Sequence, residues 1–212
     1  MNMDIPILYY DYALVVAVKP PGLLAVPGRG PDKVDCLVNR LRRLFPRMIA
    51  QPAVHRLDMA TSGLMVVAIT ATAQRELSRQ FASRMVEKEY VAVLDGLVAV
   101  EAGRIELAFR LDPAHRPHQI YDPEHGKLGI TRWRRLADEQ GRSRLALFPE
   151  TGRTHQLRLH AAHRLGLGIP IVGDALYGHG QDGDRLLLHA TGLAFLHPES
   201  GQRLVFHHEP DF

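Results

Sequence analysis

Nine consecutive residues, His55-Arg56-Leu57-Asp58-Met59-Ala60-Thr61-Ser62-Gly63, bring an imidazole, a guanidinium, a carboxylate and two hydroxyls to the entrance of the apolar run Leu64-Met65-Val66-Val67-Ala68-Ile69. Such groups are costly to desolvate, so at the mouth of a buried strand they are either paired or at work. In extended backbone, residues two apart share a face, which sets Arg56 beside Asp58, while Thr61 and Ser62 offer hydroxyls to hold the loop. A carboxylate next to an arginine stays ionised, which suits a nucleophile or base more than a general acid. No second carboxylate stands at a convincing short spacing for a glycosidase-like acid–base pair, so the chemistry centres on Asp58. The plainer reading of Asp58 is a turn or capping residue.

A second polar concentration is Thr151-Gly152-Arg153-Thr154-His155-Gln156-Leu157-Arg158-Leu159-His160. His155, His160, His163 and Asp174 are conceivable metal ligands, but on a helix only His160 and His163, three apart, share a face, and no H-E-x-x-H pattern exists. Hydrogen-bonding or RNA-contacting histidines are the stronger reading. Gly22, Gly28 and Gly30 sit in a proline-broken loop without either phosphate-loop spacing, so no nucleotide cofactor is indicated. Cys36 is the only cysteine, which rules out an intramolecular disulfide and a multi-cysteine zinc site and suits a small core residue.

The elements that must position these groups follow from pattern. Ile7-Leu8-Tyr9-Tyr10 and Ala13 to Val18 read as two strands around a turn at Asp11, stopped by Lys19-Pro20-Pro21-Gly22. Val34, Leu37, Val38, Leu41, Leu44 and Phe45 repeat at helical spacing, with Asp32 as the expected N-cap and Pro46 as the stop; Arg40, Arg42, Arg43 and Arg47 carry the other side. Leu64 to Ile69 reads as a buried strand, Thr70 caps a helix running to about Arg84, and Glu87 to Leu94 alternates as a strand. Strands follow near Arg104 to Leu111, Ile130 to Leu136 and Arg144 to Phe148, with Pro113 to Gly129 as a long basic binding loop. Thr154 is expected to cap a helix to about Leu165, and a closing hairpin turns at Glu199-Ser200-Gly201. Hairpin-like strands with a few interspersed helices predict an α+β fold of mostly antiparallel, mixed sheets with flanking helices, one domain over 1–212.

The hydrophobic fraction of 46% and charged fraction of 23% are those of an ordinary soluble domain. No apolar run approaches the roughly 20 residues that cross a bilayer, and Met1-Asn2-Met3-Asp4 lacks a basic start, so a cytoplasmic protein without membrane association is expected. A net charge of +3 with 26 Lys and Arg, mostly Arg, and 12 His favours a polyanionic partner.

The nine-residue motif resembles the H-R-L-D-x-x-T-S-G signature of the RluA family of pseudouridine synthases. Lys19-Pro20-Pro21-Gly22-Leu23 is similar to the family's K-P-x-G-L, Lys88-Glu89-Tyr90 to its K-x-Y, and Gly152 to His160 to its G-R-[TS]-H-Q-L-R-x-H. Pro170 to Gly178 and Leu186 to Ala190 complete the order; the segment between His160 and Pro170 is about three residues longer than the family pattern. The resemblance implies a catalytic domain that isomerises uridine to pseudouridine without cofactor or metal, with Asp58 attacking or deprotonating the C1′–C2′ region of the ribose. It implies that Arg158 pairs with Asp58 and that Tyr90, otherwise a half-buried strand aromatic, packs on the target base. It also implies RNA contacts from Arg56, His55, Thr61, Arg153, His155 and Lys19, with Arg56 filling the stack vacated by a flipped uridine.

A first strand within ten residues of the start leaves no room for an S4-type domain, which makes the chain similar to the family's compact members. Those act on both 23S rRNA and the tRNA anticodon arm, and a monomer is expected. A synthase for only one of these RNAs, a catalytically inactive RNA-binding module and, more distantly, a metallohydrolase are the competing readings.

Overall fold

The computed structural model describes residues 5–212, which divide into two compact units: residues up to 88 together with 189–211, and residues 89–188 together with Phe212. In the first unit, β1 (Ile7–Tyr10) pairs antiparallel with β2 (Leu14–Lys19), and β2 with β3 (Ser62–Ala68). Every residue of β2 and β3 is buried, as the unbroken apolar runs require of strands covered on both faces. Helix α1 (Leu37–Leu44) follows β2, and helix α2 (Ala71–Ala82) follows β3. The last two strands of this unit are β9 (Leu188–Leu196) and β10 (Arg203–His207), an antiparallel hairpin. Leu14, Val16, Leu64, Val66, Leu77 and Phe195 are sealed from solvent at its centre, each worth about 1.5–3 kcal/mol of burial.

The second unit is antiparallel throughout its named pairs. Here β4 (Glu87–Leu94) neighbours β8 (Arg142–Pro149), β8 neighbours β7 (Lys127–Glu139), β7 neighbours β5 (Ala102–Leu111), and β5 neighbours the short β6 (Gln119–Tyr121). Helix α3 (Gln156–Ala162) follows β8. The α+β class holds, and the antiparallel bias is broken where β3 meets β9 in parallel through Ser62↔His189 and Gly63↔Ala190.

Tertiary contacts move several local boundaries. Asp32 does not cap α1; it lies in a 3-10 turn, Pro31–Lys33. The cap is Cys36, whose Sγ accepts from Asn39 N, and the amides of Leu37 and Val38 donate to the carbonyls of Leu24 and Ala25. A neighbouring loop thus satisfies the helix's first donors, and this sets where the helix begins. Val34, counted with the apolar face, is consequently left outside the helix and exposed. Thr70 does cap α2, accepting from Ala73 N, but the helix ends at Ala82. Pro113 to Gly129 is no continuous loop, since β6 and the start of β7 lie within it. Thr154 is exposed, and the residue preceding α3 is His155 in the left-handed region at φ 55°. No side chain caps α3; the Gln156 side chain instead ties the start of the helix to the preceding loop and to β7, Oε1 accepting from Arg153 N and from the Thr151 hydroxyl, and Nε2 donating to Ile130 O. The longer segment after α3 winds back on the helix, Leu167 N donating to His160 O and Ile169 N to Ala161 O.

Gly63 is the tightest point of the β3–β9 contact: its φ is 115°, and a Cβ there would stand 2.4 Å from both N and O of Ala190. Gly63→Ala is therefore expected to cost about 3 kcal/mol or more in urea unfolding.

Candidate active site

The Asp58 loop belongs to the first unit and is braced from below by Lys19. The Lys19 side chain is 0% exposed, and its Nζ donates to the carbonyls of Pro20 (2.8 Å), Leu23 (2.8 Å) and Met59 (3.0 Å). Gly22 N donates to the same Met59 oxygen at 2.9 Å. Burial pulls the Lys19 ammonium down to about 7, while the Asp58 carboxylate pulls it back up. Three carbonyl acceptors match the three N–H of the protonated form. Lys19 was expected to touch RNA; enclosed in this way it is an internal brace, tying the Pro-Pro-Gly turn to the residue after Asp58.

The rest of the motif is fastened likewise. Thr61 N donates to Asp58 O at 3.2 Å, closing a turn that leaves Asp58 half-buried and Thr61 buried. Ser62 Oγ lies 2.8 Å from His189 Nδ1, and His189 Nε2 lies 3.1 Å from His208 Nδ1, so the exit of the loop is pinned to β9. His55, another expected RNA contact, has its Nε2 on Val66 N at 3.1 Å and its ring stacked 4.5 Å from Phe81. Burial, helped by the charge of Lys88, drives the His55 imidazolium down to about 3, so the ring is the neutral acceptor that bond requires. Arg56 and Met59 are the exposed residues of the motif, and Arg56 makes no ion pair among the described residues.

In the second unit, Arg158 projects from α3, 5% exposed, and forms a two-pronged pair with Asp174: Nε to Oδ2 at 2.8 Å and Nη2 to Oδ1 at 2.6 Å. Burial alone would push the Asp174 carboxyl up. The Arg158 bonds and charge, with the amides of Tyr177 and Leu176, outweigh it and hold the carboxyl below its ordinary value. The guanidinium also lies over the Tyr177 ring at 5.4 Å. The Tyr177 hydroxyl accepts from Gln119 N at 2.7 Å and lies 2.8 Å from His155 Nδ1, so Arg158 and His155 are steadied by one tyrosine. Asp174 and Tyr177 are the positioning residues that local reading missed; Asp174 had been weighed only as a metal ligand. The signal was the Gly173-Asp174-Ala175-Leu176-Tyr177-Gly178 segment, whose partners lie 16 or more residues upstream.

Tyr90 lies half-buried on β4 opposite Leu147. Arg153 is exposed, reaching Leu128 O at 3.4 Å. Among the described residues no group of three or more His, Cys, Asp or Glu gathers to hold a metal. His160 is buried against the edge of Phe109, burial pulling it down to about 4, which keeps its unpartnered ring neutral.

Comparison with known proteins agrees with this arrangement of motifs. Residues 13–163 match the family model described as RNA pseudouridylate synthase. The chain is 43% identical to the dual-specificity RNA pseudouridine synthase RluA of Yersinia pestis, over 97% of this chain and 99% of that protein. It is 42% identical to the protein of the same name from Escherichia coli, over 97% and 93%. Among solved structures, human RNA pseudouridylate synthase domain containing 1 superposes with a TM-score of 0.78 at 29% identity, covering 99% of this chain and 84% of that one. The chain belongs to the RNA pseudouridylate synthase family, in its RluA branch. It is a pseudouridine synthase, an isomerase whose substrate is RNA.

Lys19→Met is expected to lower stability by at least about 2 kcal/mol, because three buried carbonyls lose their donor. It should leave the salt dependence of RNA binding unchanged; a shallower salt slope would return Lys19 to the RNA contacts. Asp174→Asn leaves a buried guanidinium without its counter-charge, and a loss of about 3–5 kcal/mol in denaturant unfolding is expected. Since the Asp174 carboxyl is held low, the wild-type advantage over this variant is present at neutral pH and is lost as pH falls below about 4.

Proposed function

We propose that this synthase isomerises uridine in both 23S rRNA and the tRNA anticodon arm, with Asp58 as the essential carboxylate. Similarity over nearly the whole chain to synthases named as dual-specificity carries this reading. In the reaction the N1–C1′ bond breaks, the detached uracil turns, and a C5–C1′ bond forms. The C5 proton then leaves and N1 gains one, so the product is an isomer of the substrate and no oxidant or cofactor is consumed.

The chain's own groups suit these steps. Asp58, held at the tip of a loop braced by Lys19, acts on the ribose. Arg158, oriented by Asp174 and Tyr177, serves as its basic partner. Tyr90 packs on the uracil, and its hydroxyl assists removal of the C5 proton. A uridine in a stem-loop must leave its stack to reach Asp58, at a cost of roughly a few kcal/mol. Arg56 takes the vacated place, its guanidinium plane lying on the neighbouring bases. Arg153 and His155 contact the RNA. We further propose that the synthase acts as a monomer in the cytoplasm; no helix of the described chain is long and apolar enough to cross a membrane.

Purified protein incubated with unmodified tRNA and 23S rRNA fragments, without metal or nucleotide, should yield pseudouridine in both. Asp58→Asn should abolish the product while RNA binding persists. Product on one RNA alone would replace dual specificity with single specificity. Binding without product on either would leave an RNA-binding module.

A further inference from the structure

We propose that Tyr10, Phe45, Arg43 and Arg47 form a second RNA contact in the first unit, a stacking platform for an unpaired base of the substrate other than the isomerised nucleotide. This rests on the reading that the substrate is a structured RNA with unpaired bases near the target.

Tyr10 ends β1 with 65% of its surface exposed, and its ring centroid lies 5.5 Å from that of Phe45 at an interplanar angle of 57°. The two rings make an aromatic corner, and its supports are stiff. Tyr10 pairs with Val15 on β2. Phe45 N donates to Leu41 O at the end of α1, and Met48 N donates to Phe45 O, closing the turn Phe45-Pro46-Arg47-Met48 over the buried Met48. Arg47 therefore stands on a rigid tip beside the corner.

The four arginines of this stretch divide into two kinds. Arg40 is forked onto Asp35, and Arg42 is bonded to Asn39 and the carbonyls of Ile49 and Ala50, so both are used internally. Arg43 and Arg47 are exposed and make no ion pair among the described residues. Asp35 is forked by Arg40, with the charge of Arg43 also acting on it, and Asp11 is bonded by the amides of Ala13 and Leu14 and the side chains of Tyr9 and His197. An aromatic corner with exposed arginines two residues before and two residues after Phe45 in the chain offers a face for a base and charge for its phosphates, the combination by which single-stranded RNA is held.

The test is the affinity of the full-length protein for an unmodified anticodon-arm stem-loop and for a 23S fragment, by fluorescence anisotropy at several salt concentrations. Tyr10→Leu should raise Kd about five-fold or more on at least one RNA, whereas Tyr10→Phe, which keeps the ring, should stay within about two-fold. The double variant Arg43→Gln/Arg47→Gln should reduce the slope of log K against log salt by about 1.4, two single-strand phosphate contacts. Unchanged Kd in Tyr10→Leu together with an unchanged salt slope in the double variant, on both RNAs, would overturn the proposal and point to a protein partner for this corner. Melting curves on each variant separate lost binding from lost fold. Pseudouridine formation by the wild type is scored alongside, so that failure of the catalytic reading is seen separately from failure of this one.

Discussion

A fully buried ammonium organises the half of the molecule that carries Asp58. Lys19 ends a strand that is apolar along the rest of its length, and its amine must find acceptors within the protein or be prohibitively costly to bury. It finds three backbone carbonyls, two in the turn that follows it and one in Met59, forty residues away. A turn stiffened by Pro20 and Pro21 is thereby locked to the loop of the candidate nucleophile or base. The constraint acts both ways: the loop cannot move without exposing Lys19, and Lys19 cannot remain buried without the loop.

The same logic recurs in the second unit with the charges reversed in emphasis. Arg158 is held on a helix of seven residues, too short to be stable by itself. The Asp174 fork, the Tyr177 ring and the Gln156 bonds hold that helix and set the direction of its guanidinium. In both units a group that water would ordinarily solvate is instead solvated by protein. The orientation of each of these groups is then as rigid as the fold around it.

This pattern also sorts the basic residues by task. Lys19, Arg42 and Arg158 satisfy backbone or carboxylate partners inside the protein. Arg56, Arg43, Arg47 and Arg153 stay at the surface, where a phosphate or a base plane can meet them. Residues of one chemical type serve opposite ends because burial, rather than identity, decides whether a guanidinium is a strut or a contact.

How much of this was legible in the chain follows from the range of the interactions concerned. Strands β2 and β3, the Thr70 cap and the closing hairpin were readable because alternation, apolar runs and capping chemistry act within a few residues. The motif around Asp58 was readable because its members are contiguous. The start of α1 was not, since Asp32 is a good local cap and loses only because carbonyls of Leu24 and Ala25 meet the helix amides elsewhere. Nor was the start of α3, which has no side-chain cap and is held by Gln156 bonds to the preceding loop and to β7. The resemblance placed Lys19 among the RNA contacts, and only the folded loop brings the carbonyl of Met59 beneath it. The sequence by itself determined the class of chemistry, through the resemblance of its contiguous motifs to a known family, and named the candidate residues. Which cations turn inward, and what holds Arg158 in place, was decided by the tertiary structure, because burial and long-range pairing exist only once distant segments meet.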